Sequence, residues 1–330
     1  MSTEDIGYAQ TLPRKLVHKW GFDQVFLTSY ASTGENETVL GASLPRSHGF
    51  YCEFPTEDRT PDLALLIEVC RQACFVVAHT QFGVPVDGNN FQFLLKELSG
   101  EFVDTTVFRQ GPPTELTVRC RIERIWRRGD VPSGLVWAFT VRVGDVVVAT
   151  SRMRQTWIDR PTWRTMRVAL RAGRGLPEQT VISIPPPSRL APADVGRVNP
   201  ANVVLEEVTE DGKDVVATVR ADIRHPVLFD HPIDHLYAMV QMEACRQLSL
   251  LAGARRLGVP ATDLEMCGVS AEFVSVAEFD LPTVVRARMA EPVTTEGRTR
   301  LSVELEITQG ERLVSTFTLA VRPAAEGRQP

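Results

Sequence analysis

Two short stretches of the chain carry the same reactive side chains: Glu68, Arg71 and Gln72, and then Glu243, Arg246 and Gln247. Spacings of three and four residues place each set on one face of a helix, where carboxylate and guanidinium can touch. The surroundings are apolar in both cases (LALLIEVC and ACFVVA; LSLLAG). Burying such a pair carries a desolvation cost, and apolar side chains of similar volume are often as stable. An island kept twice therefore points to chemistry. The carboxylate is expected to be tuned towards a general base, and the planar cation to hold a phosphate or a developing oxyanion. The plainer reading, ion pairs that only hold the fold together, stands beside it.

Other candidates surround the islands. The approach to the second helix, RHPVLFDHPIDHLYAMVQME, groups Asp230, His231, Asp234 and His235, either as a further acid–base set or as a helix start with an Asp cap and an early proline. The first copy places Asp62 near the equivalent position but has no histidine there. His18 and His48 lie outside the helices and read as surface or satisfied groups. Cys70 and Cys245 sit beside the glutamates and read as small packing residues. Seven arginines between Arg152 and Arg174 meet one acid, Asp159, and read as a solvated helix and linker or as a patch for an acidic carrier protein or a nucleotide phosphate.

The elements that position these residues repeat. Glu68 to Pro85 (EVCRQACFVVAHTQFGVP) aligns without gaps on Glu243 to Pro260 (EACRQLSLLAGARRLGVP), and SGEFV, VRCR and Gly144 are answered in order by SAEFV, VRAR and Gly310. The chain is a tandem duplication of two domains, expected at 1–172 and 200–330, joined by a Pro-, Gly- and Arg-rich linker at 173–199. Each copy reads as two strands, one long helix closed by Gly-Val-Pro, and then strands only, the order ββαββββ. The helices are expected at about Pro61 to Phe82 and Ile233 to Leu257. A helix apolar on nearly every side must be enclosed. The expected class is α+β, a tandem double hotdog, each unit an antiparallel sheet wrapped around one long central helix.

Composition narrows the partners. Lys and Arg number 36 against 41 Asp and Glu in 330 residues, a formal charge of −5 that gives no general attraction to nucleic acid. Charged residues interrupt the most apolar windows, so no membrane span is expected, and the acidic start, MSTEDIGYAQ, does not read as a secretory signal; the expected location is the cytoplasm. Six scattered cysteines without CxxC spacing indicate neither a zinc site nor a disulfide framework.

Together, VHKWGFDQVFLTSY, LPRSHGFY, the IEVCRQ helix with its AHTQFGVP end and DHPIDHLYAMVQMEACRQ resemble the AfsA-type, A-factor-biosynthesis hotdog family, which makes γ-butyrolactone, butenolide and furan autoregulators. The resemblance covers both copies. It implies an acyltransferase that moves a β-ketoacyl group from a carrier-protein or coenzyme A thioester to the hydroxyl of dihydroxyacetone phosphate, followed by aldol-type closure to a phosphorylated butenolide. It puts the catalytic roles on Glu68, Arg71, Glu243 and Arg246, with Gln72, Gln247, Asp62, Asp230 and His231 as substrate-binding candidates. No metal or redox cofactor is implied, and the assembly is expected to be a monomer with an internal pair or a homodimer. Alternatives are a β-hydroxyacyl-thioester dehydratase or thioesterase of the same fold, and a non-catalytic module that binds an acyl thioester or carrier protein. The interval from His231 to Glu243 is shorter than in the dehydratases, which weakens that alternative.

Overall fold

The computed structural model describes residues 6–54, 60–86, 91–108 and 113–324. The chain divides into two compact units, one made of Met1–Arg46 with Ala64–Gln179, the other of Ser47–Leu63 with Thr180–Pro330. The segment Ser47–Leu63, expected within the first domain, thus packs with the second.

In the first unit β1 (Leu27–Gly34) and β2 (Glu37–Leu44) precede α1 (Leu63–Phe82), then β3 (Phe91–Phe102), β4 (Thr114–Arg128), β5 (Val131–Val143), β6 (Val146–Asp159) and α2 (Arg160–Ala172). All pairings are antiparallel, in the order β1-β2-β4-β5-β6-β3. The second unit contains β7 (Leu205–Asp211), β8 (Asp214–Val219), α3 (Ala238–Leu257), β9 (Leu264–Phe273), β10 (Val284–Met289), β11 (Val293–Thr295), β12 (Arg298–Gln309) and β13 (Arg312–Pro323). Its order, β7-β8-β10-β12-β13-β9 with β11 on β12, repeats the first. Two hotdog sheets of identical connectivity are the structural form of the duplication.

Strand burial alternates, as in β4 and β12, so every second side chain turns inward. Trp137, Phe139, Leu116 and Val118 form part of the first core, and Val303, Leu305 and Phe317 part of the second. The helix lies close against its sheet. At Gly100 an added Cβ would approach Ile67 Cγ1 to 3.1 Å. By length and composition α1 has the makings of a membrane span, with a mean hydropathy of 1.5, yet 89 % of that window is buried inside the fold. It is a core helix, and what accounts for its apolar sequence is enclosure.

α3 begins five residues later than its sequence pattern suggests. Leu236 is drawn off to pair with Ala277, its N–H donating to the Ala277 carbonyl at 2.9 Å, and Tyr237 stays extended. Gly258, at φ +70°, ends the helix with its N–H on the Ala254 carbonyl, as the Gly-Val-Pro stop predicts. The arginines between Arg152 and Arg174 do not form one free patch. Arg152 and Arg154 pair with Glu97 and Glu123, while Arg167 and Arg171 are buried on the inner side of α2.

Candidate active site

Both glutamates lie in the cores, each 1 % exposed. In the first unit Arg71 grips Glu68 with two hydrogen bonds, Nε to Oε2 at 2.6 Å and Nη2 to Oε1 at 2.7 Å. Gln72 donates from Nε2 to Glu68 Oε1 at 3.1 Å and to the Gln24 carbonyl at 2.7 Å, and its own Oε1 accepts from the Phe26 N–H. A second cation completes the cluster: Lys19 Nζ lies 3.1 Å from Glu68 Oε1.

The second unit repeats this plan. Arg246 donates from Nε to Glu243 Oε2 at 2.8 Å and from Nη2 to Oε1 at 3.0 Å. Gln247 donates to Glu243 Oε1 and to the Asn202 carbonyl, and accepts from the Val204 N–H. The second cation is Arg197, with Nε 2.9 Å from Glu243 Oε1. The equivalence extends to the backbone, for Lys19 follows His18 at φ +55° and Arg197 follows Gly196 at φ +66°, both left-handed turns that aim the next side chain at the helix. Lys19 and Arg197 were not among the candidates read from the sequence. The signal for them is faint, since VHKWGFDQVF and VGRVNPANVV share only their valines at the first and ninth places.

The electrostatics run opposite to the expected tuning. Burial pushes the Glu68 carboxyl up, but Arg71, Lys19 and the hydrogen bonds outweigh it and hold the group down at about 2. Glu243 is likewise raised by burial and pulled down to about 2 by Arg197, Arg246 and Gln247. Both are ionised throughout the neutral range, and neither is a strong base while its cations are in place.

Of the other candidates, Asp62 joins the second cluster, with Oδ2 4.0 Å from Arg246 Nη1. His231 does not. Its Nδ1 lies 3.5 Å from Asp230 Oδ2 on the approach to α3, and it is not among the side chains that pair with Glu243 or Arg246 among the described residues. Asp234 and His235 pair with each other at 2.6 Å. His18, expected as a surface or satisfied group, is half-buried and partnered. It stacks on Phe75 at 4.3 Å between ring centroids and lies 2.7 Å, Nε2 to Nε2, from His79. His48 and His225 each accept two backbone N–H bonds at Nδ1, and His225 Nε2 donates to Asn202 Oδ1. Burial, aided by Arg197, lowers His225 to about 4. The cysteines are free thiols, and burial raises Cys70 and Cys245 far from nucleophilic use. Among the described residues no group of three or more His, Cys, Asp or Glu is placed to hold a metal ion.

Comparison with known proteins places this geometry in context. The model of the A-factor biosynthesis hotdog domain matches residues 1–159 and 179–325. A 2-oxo-3-(phosphooxy)propyl 3-oxoalkanoate synthase of Streptomyces virginiae is 31 % identical over 316 residues, covering 96 % of this chain and 99 % of the relative. Its namesake in Streptomyces griseus is 30 % identical over 239 residues, or 72 % of this chain and 74 % of the relative. Among solved structures, an oleoyl thioesterase (putative) from Lactobacillus plantarum superposes with a TM-score of 0.52 at 12 % identity, covering 89 % of this chain and 97 % of the other; it shares the fold alone.

Proposed function

The chain belongs to the A-factor biosynthesis hotdog family, and from that premise we propose that it is an acyltransferase that condenses a β-ketoacyl thioester with dihydroxyacetone phosphate. The transfer joins the hydroxyl oxygen to the thioester carbonyl carbon, breaks the carbon–sulfur bond, and passes the hydroxyl proton by way of a carboxylate to the leaving thiolate. The observation that carries this reading is the buried carboxylate bracketed by two cations, built twice on the same helix position. Phosphate and oxyanion need such cations, and the attacking hydroxyl needs an acceptor.

The proposed roles follow from the geometry. Glu68 or Glu243 accepts the proton of the hydroxyl, and later the acidic proton between the two carbonyls during closure to the phosphorylated butenolide. A carboxylate held at about 2 is a weak base alone. A bound phosphate draws on the same cations, loosens their hold and so raises the proton affinity of the carboxylate when both substrates are present. Arg71 and Arg246 hold anionic oxygens, Gln72 and Gln247 fix the carboxylates, and Asp62 steadies Arg246. Asp230 and His231 meet substrate at the entrance to α3. That helix begins without a side-chain cap, which suits a thioester oxyanion. The acyl donor is a carrier-protein or coenzyme A thioester, and the reaction is placed in the cytoplasm.

The test is thiol release from a β-ketoacyl thioester with and without dihydroxyacetone phosphate. Release is expected only with the phosphate, giving an ester or cyclised phosphate by mass spectrometry. Glu68→Gln and Glu243→Gln, tested separately, should show which carboxylate lowers the rate, by roughly 10²–10⁴-fold for the one that moves the proton. Release that ignores the phosphate would make the protein a thioesterase instead.

A further inference from the structure

The turn that sets the second cation against the helix is built in both units, but its outer side differs between them. In the first unit the turn is Arg14–Val17, RKLV, with Arg14 and Lys15 exposed; in the second it is Pro192–Val195, PADV, with one acid, Asp194, and no base. Beyond the cation the first unit continues with Trp20 and Phe22, 61 % and 74 % exposed, where the second has Val198 and Pro200. The same fold is thus built without the two bases and without the two rings. Rings left in water forgo the stabilisation that burial would give, so their exposure points to a partner that covers them. Arg14 organises the group. Its Nη1 donates to the Trp20 carbonyl and its guanidinium lies 4.8 Å from the centre of the Phe22 ring, which fixes the backbone at Trp20 and the Phe22 side chain before any partner arrives. Asp23, the one acid between Leu12 and Gln24, accepts at Oδ2 from Gln24 Nε2 at 2.8 Å.

We propose that Arg14, Lys15, Trp20 and Phe22 form a docking collar for the acidic surface of an acyl carrier protein, which brings the β-ketoacyl thioester to the first unit. The inference rests on the acyltransferase reading and adds the class of donor and the unit that receives it. Position supports it: Trp20 directly follows Lys19, whose Nζ is 3.1 Å from Glu68 Oε1, so the collar borders the buried cluster. Charge supports it as well. The chain as a whole carries −5, yet the stretch from Arg14 to Phe22 holds cations and no acid, so an acidic partner is drawn to this place against the sign of the rest. Tryptophan and arginine are also the side chains most often found at the energetic centres of protein interfaces. The nucleotide of a coenzyme A donor would need a concave site, and a ring as exposed as Phe22 stands out from the surface instead of lining a cleft.

The test compares two donors of one β-ketoacyl group, each with dihydroxyacetone phosphate: the acyl carrier protein of bacterial fatty acid synthesis loaded with that group, and its N-acetylcysteamine thioester. Lys15→Glu and Phe22→Ser should each lower kcat/KM for the carrier donor by roughly tenfold relative to the N-acetylcysteamine donor, with melting temperatures that match the parent. The KM for the carrier donor should rise with salt in the parent and less steeply in Lys15→Glu. An unchanged ratio of the two donors in both variants would overturn the assignment. So would an equal fall with a coenzyme A donor, which would put a nucleotide on the collar, or a dimer of the parent that Phe22→Ser dissolves without altering the ratio, which would put a second copy of the chain there. Binding of the fluorescently labelled carrier protein reads the collar without turnover: it should be weaker to Lys15→Glu than to the parent, and equal binding would contradict the proposal. If the parent releases thiol without dihydroxyacetone phosphate, the acyltransferase reading fails, while this binding comparison still reports on the collar.

Discussion

The islands around Glu68 and Glu243 have the same helix position, the same glutamine clamp and a second cation from the same left-handed turn, yet they differ in what surrounds that cation. Arg197 meets two carboxylates, a carbonyl and a ring, and ties the segment Ser47–Leu63 to α3. Lys19 meets Glu68. Duplication supplied two equal frameworks, and the second cation of each is a different side chain, a lysine beside Glu68 and an arginine that bridges Glu243 and Glu53. The contrast teaches that the same carboxylate framework can be held by unlike second cations, and that the arginine in that place also ties in a further chain segment.

The largest expected effect is on stability. Arg197→Met leaves Glu243 with one cation and Glu53 with none of its guanidinium, and should cost about 3–5 kcal/mol in urea unfolding, whereas Lys19→Met should cost about half as much. Equal losses would erase the distinction between the clusters.

An intermediate effect is expected from acid. Below about pH 6.5 the unfolded chain protonates the His225 imidazole, while the folded chain resists until about 4 because burial and Arg197 oppose the charge. Stability should therefore fall as pH drops through that window, by about 2–3 kcal/mol, and level once both states are protonated. His225→Asn should flatten this part of the profile, and hydrogen exchange should place the early loosening in the second unit, where His225 holds Asn202. Below about 4.5 the paired glutamates add a further loss as the unfolded carboxyls protonate first.

A smaller effect separates the turns. Gly196→Ala sets a side chain at φ +66° and brings its Cβ to 2.6 Å from Leu250 Cδ1 and 3.1 Å from the Ala261 carbonyl, for a cost of roughly 1–3 kcal/mol. His18→Gly relaxes the same backbone angle while losing the Phe75 stack, so its net change should stay within about 1 kcal/mol. A larger loss at His18 would mean that its ring, and not its turn, positions Lys19.

Much of this was legible in the residues. The repeated E-x-C-R-Q in an apolar run placed Glu68, Arg71 and Gln72 together, and the matching stops at Gly-Val-Pro placed both helices. β9 was visible only through SAEFV, because the rest of that strand has no clean alternation. Lys19 and Arg197 escaped notice because contact with a helix some fifty residues away follows from a turn angle, which His18 and Gly196 satisfy with unlike side chains. The sign of the glutamate shifts depended on those same cations. With one arginine each, burial and pairing compete; with a second cation, pairing wins. The attachment of Ser47–Leu63 to the second unit rests on Glu53, Gly49 and Phe50 meeting Arg197 and Asn202, contacts between residues far apart in sequence that no local pattern marks.

The most direct measurement uses dihydroxyacetone phosphate labelled with ¹⁸O in its hydroxyl group, incubated with the parent protein and a β-ketoacyl thioester. Acyl transfer keeps that oxygen as the bridging atom, so the ester or the ring closed from it should retain the label. A free β-keto acid, with the labelled phosphate recovered unacylated, would contradict the account.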